Sequence, residues 1–135
     1  MQDLYEASQQ LVEGGIRKAE EIGVRVSIAL VDSHGDVIAV KRMSGAISLS
    51  PKIAMGKGSA AAIFRRATSE FEPRILQNPT MWSGVTSMTA GALLFGRGGV
   101  PIIDGSETLG AIGVSGATSE QDELIAKAAA AEWAK

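Results

Sequence analysis

Two cationic side chains, Arg42 and Lys57, are the residues best suited to bind an anionic small molecule. Arg42 ends an alternating apolar segment, and Lys57 lies within a helical pattern. A guanidinium can hold a carboxylate through two parallel hydrogen bonds, and a lysine shielded from water can serve as an acid or base. The pair predicts a carboxylate-binding pocket, with Arg42 and Lys57 as catalytic candidates. The alternative for Lys57 is an ammonium that reaches water from an apolar stripe.

The only histidine, His34, stands between Asp32 and Asp36 in a segment rich in turn-forming residues. Asp and Gly favour turns for backbone reasons, so this segment predicts the tip of a β-hairpin. A ligand or catalytic role for His34 is the alternative. The chain has no cysteine, which excludes thiolate nucleophiles, disulfides and cysteine-bound zinc. We therefore predict no metal site.

The densest glycine cluster, GRGGVPI, spans residues 96–102. It lacks the Lys-Ser/Thr of a phosphate loop, and Pro101 stands where a dinucleotide fingerprint would begin its helix. The amides of Gly98 and Gly99 are predicted either to cradle an anion or to form a bulged sheet edge. Trp82, in an irregular segment, is predicted to plug the core or to cover a ligand. Ser115 is a secondary candidate for ligand contact.

The hydrophobic periodicities predict the order α-β-β-α-loop-β-β-β-α within a single domain, residues 1–135. The fold class is therefore α/β (α+β), with helices packed on a central antiparallel sheet of about five strands. Thr118 and Gln121 have the spacing of a capping box at the start of the last helix. The predicted helices are 4–22, about 50–66 and 118–135, with a short helical piece within 69–79 of the irregular segment 68–91; the predicted strands are 24–32, 37–42, 92–95, 100–103 and 108–114.

The charge distribution argues against two classes of partner. The chain has 135 residues and a net charge of −2, with its 13 basic residues scattered. Nucleic-acid binding needs clustered cations, so it is not expected. No apolar stretch approaches the ~20 residues that cross a bilayer, so no membrane partner is expected. The N-terminal sequence has no secretory-signal pattern. We expect a cytoplasmic protein, with a mature secreted form as the alternative.

The order of the motifs resembles the GlcG/HbpS-like family, which also forms the C-terminal domain of PduO-type cobalamin adenosyltransferases. The resemblance covers about residues 11–131 and departs from the usual pattern at Lys57-Gly58, where the family has Lys-Ala. It implies a profilin-like antiparallel sheet and homo-oligomers such as octamers. The positions that match the family pattern are Asp32, Gly35, Arg42, Met43, Ala46, Lys57, Gly98, Gly99, Pro101, Gly113, Ser115, Gly116 and Asp122.

The resemblance implies a small-molecule-binding protein whose ligand is haem or a related anionic molecule. The expected ligand-binding residues are Arg42, Lys57, Trp82, Gly98, Gly99, Pro101 and Ser115. Two alternatives stay open. One is a cofactor-independent isomerase, hydrolase or deaminase that acts on a small organic acid from a catabolic pathway. The other is an oligomeric accessory protein without chemistry.

Overall fold

A four-stranded antiparallel sheet with strand order β2-β1-β4-β3 forms the centre of the computed structural model, which describes residues 3–135. Helices cover both of its faces. The predicted α/β fold with a central antiparallel sheet is confirmed, with four strands instead of about five. The elements are α1 (Leu4–Ile22), β1 (Ser27–Asp32), β2 (Val37–Arg42), α2 (Ser50–Phe64), α3 (Glu72–Gln77), α4 (Pro79–Met88), β3 (Gly99–Asp104), β4 (Glu107–Ser115) and α5 (Ser119–Ala131), with short 3₁₀ turns at Thr68–Phe71 and Glu132–Ala134.

Helices α1 and α5 end where the sequence supplies capping groups. Asp3 Oδ1 accepts the Glu6 N–H at the start of α1, and Gly23 closes the helix in the left-handed conformation. The predicted capping box of Thr118 and Gln121 is present at the start of α5. These caps fix the ends of the two helices that pack on the same face of the sheet.

The two faces of the sheet have different partners. Ile28 and Leu30 of β1 pack against α1 and α5 in the main apolar core. Val31, which points to the other face, packs against Ala61 and Ala62 of α2. Because successive residues of a strand alternate between faces, α2 packs on the face opposite to α1 and α5. It packs mainly on β4 and β1, which leaves part of this face open for other contacts.

Helix α2 lies almost directly on the main chain of β4. A Cβ atom at Gly113 would collide with the Ala54 carbonyl oxygen and with the Gly58 nitrogen. Each glycine in a helix interior lowers helix stability by about 1 kcal/mol relative to alanine. Gly58 is tolerated because its missing side chain allows this close approach of helix and strand.

The predicted strand over residues 92–95 is wrong. This segment is irregular, and the Leu94 N–H donates to the Gly56 carbonyl of α2 instead of pairing with a strand. Leu93 and Phe95 are buried in an apolar cluster beside α2. The apolar run therefore indicated burial of Leu93 and Phe95 correctly, but the backbone hydrogen bond of Leu94 is made to a helix.

Residues 79–88, which have no strong apolar period, form helix α4. Asn78 starts the helix by accepting the Met81 N–H, and Pro79 occupies the first helical position. The pair Asn78-Pro79 is the start signal in the sequence. Neither α3 nor α4 has a buried residue, which explains the absence of a clear apolar stripe. None of the helices in residues 3–135 is long and apolar enough to cross a membrane.

Replacing Gly113 by alanine is expected to lower the free energy of unfolding by roughly 1–3 kcal/mol, because the new Cβ forces α2 away from β4. Gly84→Ala is the control, since a Cβ there meets open space within α4. That change is expected to raise stability by up to about 1 kcal/mol. Denaturant unfolding measures both. Equal effects of the two variants would contradict the close helix–strand contact.

Candidate functional site

The Lys57 side chain is buried and its ammonium group is held by two oxygen atoms. Nζ donates to the Val114 carbonyl oxygen at 3.0 Å and to Asp122 Oδ2 at 3.1 Å. Both side chains of the ion pair are almost completely shielded from solvent. Lys57 therefore joins α2 to α5 at the end of the sheet, and its positive charge is compensated within the protein.

The glycine cluster leaves room for this lysine. The Val114 N–H donates to the Gly98 carbonyl, while the Val114 carbonyl accepts from Lys57. Gly98 has a φ of 132°, and a Cβ there would lie 3.1 Å from Lys57 Nζ. The lysine thus supplies the donor that the last carbonyl of the β3–β4 ladder needs. The missing side chain of Gly98 therefore leaves space for the Lys57 ammonium group.

The Asp122 carboxylate has two kinds of donor. Its Oδ1 accepts the Ala117 N–H at 3.0 Å, and its Oδ2 accepts from Lys57. Burial raises the pKa of the Asp122 carboxyl, against the opposing effects of the Lys57 charge and the Ala117 hydrogen bond. The low solvent access outweighs the attraction of the partner cation.

Two other polar groups of the glycine cluster have protein partners. The Gly99 N–H donates to Thr68 Oγ1 at 2.9 Å. Arg97 forms two hydrogen bonds with the Glu72 carboxylate, at 3.0 and 3.2 Å. Pro101 lies half-buried in the edge strand β3. These bonds fit the bulged-edge interpretation of the cluster, and an anion-binding role for Gly98, Gly99 and Pro101 stays a prediction.

Arg42 and Ser115 lie in one row across the sheet. Ser27 of β1 is directly opposite Arg42 on one side and Ser115 on the other. Ser27 is covered by α2, because its Oγ lies 2.8 Å from Ser50 Oγ. Arg42 is exposed, and its Nη1 donates to the Ala46 carbonyl oxygen.

The structure therefore does not join Arg42 to the hydrogen-bond network of Lys57. Their convergence on one carboxylate is not seen, because the Lys57 ammonium faces Asp122 instead. Ser115 is buried at the end of β4, next to Val114. The binding roles of Arg42, Lys57 and Ser115 stay predictions.

Trp82 belongs to a cluster of four aromatic rings. It lies 5.3 Å from Phe71, 5.1 Å from Phe95 and 6.0 Å from Phe64, measured between ring centroids. Edge-to-face contacts of this kind stabilise a core beyond the area they bury. The cluster attaches α4 to α2, as expected if Trp82 plugs the core. Its role in ligand contact stays a prediction.

A groove of about 350 Å³ runs between α2, the β1–β2 turn and residues 90–92. Lys52, Met55 and Ser59 line it from α2, and Val37 lines it from β2. His34 is exposed on the adjoining turn, next to Gly35. Residues 52, 55, 56 and 59 share one helix face by their spacing, so the sequence indicated which side of α2 lines the groove. The opposite wall, formed by the β1–β2 turn and residues 90–92, was not predictable from the sequence.

The exposed face of β2 extends this groove. Val37, Val40 and Arg42 are opposite Val31, Ala29 and Ser27 of β1, so they point to the side of the sheet on which α2 lies. Helix α2 packs mainly on β4 and β1 and leaves β2 largely open. The result is an apolar surface that carries Arg42 at the end of β2, beside the groove that Lys52 lines.

Neither the groove nor the rest of residues 3–135 contains three or more His, Cys, Asp or Glu side chains grouped to hold a metal ion. His34 and the half-buried Met55 are side chains near the groove that are able to bind a metal centre.

Comparisons with known proteins agree on one family. Residues 5–131 match the family model described as "Haem degrading protein HbpS-like". A 15.0 kDa protein from the dhaT-dhaS intergenic region of Citrobacter freundii is 32% identical over 91% of this chain and 86% of its own length. The structure superposes on Klebsiella pneumoniae protein ORFY with a TM-score of 0.88, at 30% identity over 96% of this chain and 89% of that one.

A third relative carries a ligand in its crystal structure. The structure of the PduOC:heme complex superposes with a TM-score of 0.82, at 29% identity over 92% of this chain and 89% of that one. These matches confirm the resemblance that the sequence motifs indicated.

Lys57→Met is expected to lower the free energy of unfolding by about 3–5 kcal/mol, because it leaves the buried Asp122 carboxylate without its cation. The double variant Lys57→Met/Asp122→Leu should recover part of this loss. The control is Lys18→Met, which breaks the exposed pair with Glu21 and should change stability by less than about 1 kcal/mol. A Lys57 variant as stable as the Lys18 variant would contradict the role of the buried pair.

The raised pKa of Asp122 predicts a pH dependence of stability. The folded protein binds this proton more tightly than the unfolded chain does, so the contribution of Asp122 is greatest below about pH 4 and is lost as pH rises through its folded-state pKa. The unfolding free energy of the wild type minus that of Asp122→Asn should fall as pH rises above about 4, the pKa of an aspartate in the unfolded chain. A difference that rises with pH over this range would show the opposite sign of the shift.

Proposed function

The chain belongs to the HbpS-like family, and we propose on that premise that it is a small-molecule-binding protein whose ligand is haem or a similar flat, anionic tetrapyrrole. The groove beside α2, with the open face of β2, is the proposed binding surface. The observation that carries the proposal is the meeting of apolar surface, cations and candidate iron ligands at this one place.

The residues of this surface fit the chemical parts of haem. The macrocycle needs an apolar surface, which the exposed side chains of Val37 and Val40 offer. The propionates need cations, and Lys52 and Arg42 are both exposed. Haem would bring a redox-active iron, and Met55 or His34 would be its axial ligand. We place the anion-binding role of Arg42 here and leave Lys57 as the buried partner of Asp122.

An enzyme that uses Lys57 on an organic acid is less well supported. A substrate carboxylate would have to displace Asp122 from the ammonium group, and the Val114 carbonyl would have to lose its donor. That exchange leaves a buried carboxylate without a cation, which is costly. The catalytic roles of Lys57 and Arg42 stay predictions.

We also propose that the protein assembles into homo-oligomers, as the family resemblance implies. Leu76, Met81 and Met88 on α3 and α4 are exposed large apolar side chains, and no residue of these helices is fully buried within the chain. Exposed apolar side chains on neighbouring helices favour association with another chain. The octamer and the cytoplasmic location stay predictions.

Haemin titration tests the proposed surface. The wild type should saturate at one haem per chain with a shifted Soret band. Lys52→Glu and Arg42→Glu should each weaken binding about tenfold, because they place a negative charge beside the propionates. Lys41→Glu is the matched control, since Lys41 is opposite Ile28 and so points to the other side of the sheet.

The axial ligand has its own readout. Met55→Leu and His34→Ala keep the charge of the surface, so the variant that removes the ligand should change the ligand-field bands of the bound haem. Absence of saturable haemin binding by the wild type would remove the proposal. Equal affinities of the Lys52, Arg42 and Lys41 variants would move the site elsewhere on the protein.

A further inference from the structure

A cleft of about 930 Å³ lies on the other side of the sheet, between the start of α1, the margin of the strands and the C-terminal turn. Its floor is formed by Leu4, Ile38 and Leu109, which belong to the edge of the core shared with α1 and α5. It shares no residue with the groove beside α2. Its volume is within the range of sites that hold small organic molecules.

Two aromatic side chains stand over this apolar floor. Tyr5 is 76% exposed, and Trp133 is half-buried. Both line the cleft. Aromatic rings pack against flat or alkyl groups, and their faces attract cations through the ring quadrupole. A ligand with an apolar body and a positive charge can use both properties.

Carboxylates decide the sign of the charge that the cleft accepts. Asp3, Asp32, Asp104 and Glu107 line it, and no Lys, Arg or His among residues 3–135 does. The ion pairs within residues 3–135 involve none of these four acids. The whole chain has a net charge of only −2, so this negative charge is a local concentration. An anionic ligand such as a propionate would be repelled here.

Two of the acids also have a local structural role, but each keeps the capacity to accept a hydrogen bond from a ligand. Asp3 Oδ1 accepts the Glu6 N–H, and Asp32 Oδ1 accepts the N–H groups of His34 and Asp36. A carboxylate has two oxygen atoms, so each retains a second oxygen. These hydrogen bonds hold the two acids in place at the rim of the cleft.

We propose that this cleft binds an organic cation, a primary amine that carries an aromatic or alkyl body. The ammonium group lies among the carboxylates, and the body rests on the apolar floor between Tyr5 and Trp133. The cleft is thus a second ligand site, independent of the proposed tetrapyrrole surface and selective for the opposite charge.

Three isosteric probes test the charge preference. Titration of the ¹⁵N-labelled protein with 2-phenylethylamine, 2-phenylethanol and 3-phenylpropionate, followed by amide chemical shifts, compares cation, neutral alcohol and anion. The amine should shift amides lining the cleft saturably and bind at least about fivefold more tightly than the alcohol. The acid should not shift them. Raising the salt concentration should weaken the amine, because the rim carboxylates are open to solvent.

Single substitutions assign the effect to the cleft. Glu107→Gln should weaken the amine roughly two- to fivefold, and Tyr5→Ala should weaken the amine and the alcohol together. The control, Glu20→Gln, changes an exposed acid outside the cleft and should change nothing. No amine binding, equal binding of amine and alcohol, or shifts only at amides away from the cleft would overturn the proposal. Arg42→Glu, which tests the tetrapyrrole surface, should leave amine binding unchanged.

Discussion

The close contact between helix α2 and strand β4 is the constraint on which the rest of the structure depends. Gly113 and Gly58 bring the two backbones together without intervening side chains. At that distance Lys57, one position before Gly58, reaches past the strand to the Val114 carbonyl and to Asp122. A helix held farther away by larger residues would leave the end of the β3–β4 ladder without this donor.

The same contact determines where ligands can lie. Because α2 sits low over β4 and β1, it does not cover β2, and the apolar face of that edge strand stays open beside the helix. On the opposite face, α1 and α5 bury the main core, and only its margin opens into the acidic cleft. The two surfaces differ in charge: Lys52, Asp36 and the neighbouring Arg42 give the first both signs, and the second is lined by four carboxylates. The sheet thus separates two different chemical environments.

Much of the fold could be predicted because it rests on local signals. The Gly23 cap, the Thr118–Gln121 box and the alternation in β1 each act within a few residues, and the box is present as predicted. The segment 92–95 failed because a short apolar run indicates burial and not the partner of the backbone N–H groups. Helix α4 was missed because a helix with no fully buried residue needs no clear apolar stripe.

The candidate site was harder to predict because charge compensation is a non-local property. Lys57 and Asp122 are 65 positions apart, and both were noted in the sequence as separate features. Each was interpretable alone, the lysine as an anion anchor and the aspartate as one position of the family pattern. Their pairing follows only from the packing of α2 and α5 at one end of the sheet. No local sequence pattern predicts that packing. A buried cation should therefore be assigned to a ligand only after every carboxylate that the topology brings to it has been excluded.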